Sequence, residues 1–238
     1  MRQAGQIFAA AISIVMCALP VAAQHLSDFA APRPIPPGSV LVVGFLGGFD
    51  RWNDPHRGVR RVALNLRSRG LYAETAGNHR YRTALKFIRL ALDTNRNGRI
   101  DPREALAARV ILFGQSWGGA ATVKVARALQ SLGVPVLLTI QVDSVGLHDA
   151  DIPANVREAA NFYQDDLWTI KGRRVIRAVD PARTRILGNF QFSYHDRYVD
   201  ESDSSWMRRT IGRSHVKMEL DPLVWNKVEQ LILNAAEK

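Results

Sequence analysis

One short stretch constrains this chain more than any other: the apolar run Arg109–Phe113 (RVILF) ends directly in Gly114-Gln115-Ser116-Trp117-Gly118-Gly119. A branched apolar run of that length reads as a strand buried on both faces. The residues after it, Ala120 to Leu132, have the composition of a helix closed by Gly133. Between them stands a serine flanked by glycines, so strand and helix meet at one sharply bent residue. Only small neighbours let the two elements approach that closely. A strand leading at once into a helix belongs to a β/α/β arrangement, and such units build parallel sheets.

The rest of the chain reads in the same way. Val40–Val43 predicts a first buried strand and Gly58–Arg69 a helix with Gly70 at its C-cap; Leu71–Thr75 predicts a second strand. Tyr81–Leu92 is amphipathic, with Leu85, Ile88 and Leu92 on one face. Pro135–Val142 predicts a fourth strand ending at Asp143, and Pro222–Ala235 a terminal helix. Between them Ile152–Gln164 reads as a helix, and Arg173–Val179 and Arg185–Phe192 as strands. The expected fold class is α/β: a three-layer, mostly parallel sheet flanked by helices, in a single domain over residues 39–238. Residues 24–38 hold four prolines and read as an extended lead-in.

Residues 1–23 have the pattern of an export signal. Arg2 supplies the positive end, Ile7–Ala18 is apolar but short for a bilayer span, and Val21-Ala22-Ala23 offers small residues for cleavage. The expectation is a secreted or periplasmic protein with no transmembrane segment after cleavage. Cys17, the only cysteine, lies inside that segment. The mature chain would therefore have no disulfide and no cysteine nucleophile. The formal net charge is +10. Its arginines are scattered and carry no interleaved aromatic stripe, which argues against a specific nucleic-acid reader. The excess fits attraction to anionic envelope surfaces better.

Ser116 is the candidate nucleophile. Asp143 follows a strand, and His215 precedes the last helix in the loop Gly212–Val216. Asp149 and Asp180 are alternative acids, and His195 is the alternative base. Gly44-Phe45-Leu46-Gly47-Gly48 follows the first strand, where backbone N–H groups can meet a developing oxyanion. The expected donors are the amides of Phe45 and Trp117.

With these residues in view, the chain resembles the α/β-hydrolase superfamily of lipases and esterases. The resemblance spans roughly Ser39 to Ala235 and rests on GFLGG at 44–48, GQSWGG at 114–119, Asp143 and His215. It departs from the common pattern at Val43, where many lipases have histidine, and between Asp143 and His215, where β/α alternation is unclear. It implies a serine hydrolase that cleaves carboxylic esters through an acyl-enzyme, on a small or lipid-like substrate, with no organic cofactor.

A second motif stands apart. Asp93 to Glu104 (DTNRNGRIDPRE) matches a twelve-residue calcium loop: oxygen donors at Asp93, Asn95, Asn97, Asp101 and Glu104, the carbonyl of Arg99, and Gly98 at the sharp turn. It is an unpaired loop with asparagines where aspartates are usual, which predicts weak, structural calcium. The competing functional reading is a non-catalytic, calcium-binding envelope protein on a hydrolase scaffold.

Overall fold

The computed structural model describes residues 24–48, 50–166, 170–202 and 213–238. The expected signal segment, residues 1–23, lies outside them. The core is a six-stranded sheet in the order β2-β1-β3-β4-β6-β8, with every neighbouring pair parallel. The strands are β1 (Leu41–Leu46), β2 (Tyr72–Gly77), β3 (Val110–Gln115), β4 (Val136–Val142), β6 (Val156–Gln164) and β8 (Arg185–Phe192). Two short strands, β5 (Asp151–Ile152) and β7 (Arg177–Ala178), pair separately.

Alternation along each strand sorts its side chains between two layers. Leu41, Val43 and Phe45 of β1, with Val110 and Leu112 of β3, pack against α2 (Tyr81–Leu92), α3 (Pro102–Ala107) and α4 (Trp117–Gln130). Val42, Leu46, Ile111 and Phe113 face the other way, onto α1 (Gly58–Ser68), α5 (Arg213–Leu220) and α6 (Pro222–Ala236). The expected three-layer α/β class is what the chain forms. Burial on both faces explains the near-continuous apolar composition of β1, β3 and β4.

The chain order matters for function. From β1 the chain moves to β2 on one side, then returns past β1 to build β3, β4, β6 and β8 on the other. The loops leaving β1 and β3 therefore diverge from adjacent strand ends. Such a divergence opens a crevice at the carboxyl edge of a parallel sheet, where ligands bind in folds of this kind.

Two expectations are corrected. Residues 156–164 form β6, not a helix, and only Arg177–Ala178 of the expected strand Arg173–Val179 is extended. The helical spacing of Ile152, Val156, Ala159 and Tyr163 is real. Pairing with β4 and β8 overrides it, burying Val156, Ala159, Ala160 and Phe162 inside the sheet.

Candidate active site

Ser116 stands between β3 and α4 with φ 56° and ψ −126°, a backbone conformation rare for any residue but glycine. Its N–H donates to Val142 O at 2.9 Å, and its own carbonyl accepts from Gly119 N at 3.0 Å. The bend is thus held from both sides. Gly118 is required by close approach: a Cβ there would collide with the carbonyl of Phe45. The strain lifts Ser116 out of the sheet at the crevice between β1 and β3.

His215 is not in a loop, as expected, but within α5. It is buried, and its Nδ1 lies 2.6 Å from Asp143 Oδ2. An ionised carboxylate only accepts, so Nδ1–H donates to it, and a neutral imidazole in this tautomer carries its lone pair on Nε2. Asp143 is fully buried just past β4, also at positive φ (44°). Its carboxylate accepts from Gln164 Nε2 at 3.1 Å and Gln164 N at 3.3 Å. Gln164, at the end of β6, therefore fixes the Asp143 carboxylate that holds His215. The sequence-expected trio is brought to one sheet edge, with Ser116 and His215 lining one cavity.

The reserve residues do other things. Asp149 is buried under the loop after Asp143, where it accepts from Ser144 Oγ, Gly146 N and Arg173 Nε. Asp180 accepts from Ala182 N in its own turn. His195 is mostly exposed, 3.7 Å from Asp166. None of the three meets Ser116 or the Asp143–His215 pair.

The cavity beside Ser116 has a volume of about 450 Å³. Trp117, Val145 and Ile170 give it apolar walls, and Lys171 places a cation on the rim, 3.2 Å from Asp165. Of the two expected oxyanion donors, Trp117 lines this space and Phe45 does not. Phe45 lies inside β1, fully buried and paired with Ala76 and Gly114. The chain passes Ser116 two residues later, at Gly47 and Gly48. A Cβ at Gly47 would lie 2.8 Å from that of Ser116, so only glycine brings backbone this near. Asn78 Nδ2 anchors the turn on Leu46 O and Gly48 O.

Sequence reasoning also missed Gln115. Its side chain is buried beside Gly47, and its Nε2 lies 3.1 Å from His215 Nε2.

α5 is itself anchored. Asp221, buried between α5 and α6, accepts from Tyr194 Oη at 3.0 Å, Arg197 at 2.8 Å and Leu223 N at 2.9 Å. Burial, then the Asp221 carboxylate, pushes the Tyr194 hydroxyl above its ordinary pKa, so it stays a donor. Glu219 adds an ion pair to Arg57 ahead of α1.

The Asp93–Glu104 loop lies at the opposite edge of the sheet, ahead of β3. It is closed by its own hydrogen bonds. Asp93 accepts from Asn97 N and Gly98 N, and Asn97 Oδ1 from Arg99 N. Asp101 caps α3 at Arg103 N and Glu104 N, and Glu104 reaches back to Thr94 Oγ1, Asn95 N and Asp101 N. The donors are hard oxygens, as calcium requires. Among the described residues, however, no three His, Cys, Asp or Glu side chains converge as metal ligands. The donor types and their spacing along the chain suit calcium, while the carboxylates Asp93, Asp101 and Glu104 form no converging group.

No family model matches the chain, and no curated protein matches it either.

Proposed function

We propose that the protein is a serine hydrolase of the α/β-hydrolase type, acting on carboxylic esters. The observation that carries this reading is the strained Ser116 at the β1/β3 crevice, sharing a cavity with a histidine held by a buried aspartate. Ser116 Oγ attacks the acyl carbon while its proton passes to His215 Nε2. Asp143 keeps the imidazole in the required tautomer and stabilises the imidazolium. His215 then returns the proton to the leaving alkoxide as the ester C–O bond breaks. Water repeats the sequence on the acyl-enzyme and releases the acid.

The proposed oxyanion donors are the amide of Trp117, in the first turn of α4, and the amides of the Gly47–Gly48 turn. The helix N-terminus favours negative charge there. Apolar walls suit an acyl or lipid-like substrate. The signal-like pattern of residues 1–23 and the +10 charge support an exported protein drawn to anionic envelope surfaces. Calcium is proposed as a structural clip held by Asp93, Asn95, Asn97, the Arg99 carbonyl, Asp101 and Glu104. It lies a strand's length from Ser116, roughly 20 Å at ~3.3 Å per residue, and has no part in the chemistry.

The test is labelling of the purified chain with a fluorophosphonate, mapped by mass spectrometry. The expected adduct is on Ser116 and vanishes in Ser116→Ala, together with hydrolysis of p-nitrophenyl esters. An unlabelled Ser116 in the folded parent would sink the mechanism and leave the calcium-binding reading.

A further inference from the structure

The neutral imidazole of His215 has one acceptor site, the in-plane lone pair on Nε2, because Nδ1–H is committed to Asp143. For Ser116 to be activated, its hydroxyl must donate to that lone pair. Among the described residues, the hydrogen bond at Nε2 comes instead from the Gln115 side-chain amide, at 3.1 Å. The two donors exclude each other. Gln115 is held in place for this: it is 2% exposed, at the last position of β3, and pressed against the Gly47 turn beside the nucleophile. The amide also lines the substrate cavity, so a bound ester reaches it directly.

Resting on the acyl-transfer reading above, we infer that Gln115 is a positioning residue that latches the base. Its amide holds His215 Nε2 away from Ser116 until substrate enters and displaces it. The chemistry enforces the release. Once Nε2 has taken the serine proton it is itself a donor, and an N–H facing an N–H is repulsive. The latch is therefore open throughout the acylation step and closes again when the base is neutral and the cavity empty. Such a device suppresses turnover of ligands too small to reach the amide, while costing a filling substrate little.

Two nearly isosteric substitutions separate this role from a structural one. Gln115→Met keeps length and volume but removes the donor. Gln115→Glu replaces the donor with an acceptor that favours protonated Nε2, which has no lone pair for Ser116. The measurement is the second-order rate of fluorophosphonate labelling at Ser116, with thermal unfolding run alongside to confirm that both variants fold. The latch gives opposite signs: Gln115→Met labels about three- to ten-fold faster than the parent, the worth of one neutral hydrogen bond, and Gln115→Glu labels slower. Labelling of Gln115→Met at or below the parent rate overturns the latch while leaving the hydrolase reading intact. A parent that never labels overturns both.

Discussion

Asp143 shows how much of the site is decided by single side chains. Its carboxylate is fully buried, yet among the described residues its hydrogen-bond partners are all donors: His215 Nδ1, Gln164 N and Gln164 Nε2. Asp143→Asn preserves the shape but offers Nδ1 an amide that can donate, which selects the wrong tautomer. The expected result is a loss in kcat of about 10⁴-fold with a fall of a few degrees in unfolding temperature, because the new amide N–H faces the Gln164 donors, read from ester hydrolysis and a thermal melt. A loss below ten-fold would mean that another group orients the base. That Ser116 and Asp143 emerge at one sheet edge was legible from the strand ends before them, whereas the helix that carries His215 was not, because the residues around it read as a loop. Gln115 and Gln164 were not legible either. Each is a glutamine on a strand, and nothing in its local pattern tells that its side chain turns toward the site rather than the surface. Gly47 and Gly48, rather than Phe45, line the cavity beside Ser116 because β1 runs to Leu46, three residues beyond the end expected at Val43.

At the scale of elements, the sequence read well where periodicity and burial agree. The strands β1 to β4 and helices α2, α4 and α6 fall near their expected spans. Strand β6 escaped because Val156, Ala159 and Tyr163 recur at helical spacing while its polar positions, Glu158, Asn161 and Gln164, are buried by tertiary partners. Asn161 alone donates to Arg173 O, Arg174 O and Asn189 Oδ1, bonds that no local window reveals. The loop between α2 and α3 was legible as a unit, and its stability is pH-dependent in a known direction. Burial pushes the Glu104 carboxyl up, but hydrogen bonds from Asp101 N, Asn95 N and Thr94 outweigh it, leaving the group below its ordinary value. A carboxyl lowered by folding stabilises fully above its unfolded pKa, about 4.3, and loses that contribution as pH falls through the lower folded value. Glu104→Gln should therefore unfold at a lower temperature than the parent near neutral pH, and the two melting curves should converge as the solution is acidified below about pH 4. A constant gap from pH 7 to pH 3 would show that the carboxylate charge is irrelevant. Millimolar calcium should raise the melting temperature of the parent and not of Glu104→Gln; equal responses would remove the clip.

For the molecule as a whole, the open question is what covers the free side of β2, the last strand on that side of the sheet. An uncovered edge of a parallel sheet is an invitation to pair with another chain. Here the residues just before the first strand do the covering. The Gln24 side-chain amide donates to Thr75 O at 2.7 Å and accepts from Gly77 N at 3.3 Å, standing in for the backbone of a neighbouring strand. Ala31 N donates to the buried Glu74 at 2.7 Å. Between them Phe29 stacks on Phe87 of α2, ring centroids 4.3 Å apart and planes within 6°. The proline-rich composition of residues 24–38 suggested only an extended lead-in, because prolines report backbone stiffness and say nothing of what the intervening side chains bury. Phe29→Ala tests whether this segment is structural. As a cavity-forming substitution at a buried aromatic it should cost about 3–5 kcal/mol, or roughly 10 °C in melting temperature for a chain of this size. Aggregation on heating should begin earlier, as the edge of β2 comes free. The effect should leave the rate of Ser116 labelling at low temperature unchanged, since β2 lies on the far side of β1 from β3. A shift under about 1 °C, well below what any buried phenylalanine would give, would mean that residues 24–38 are a passive tether and that the fold is complete from Ser39 onward.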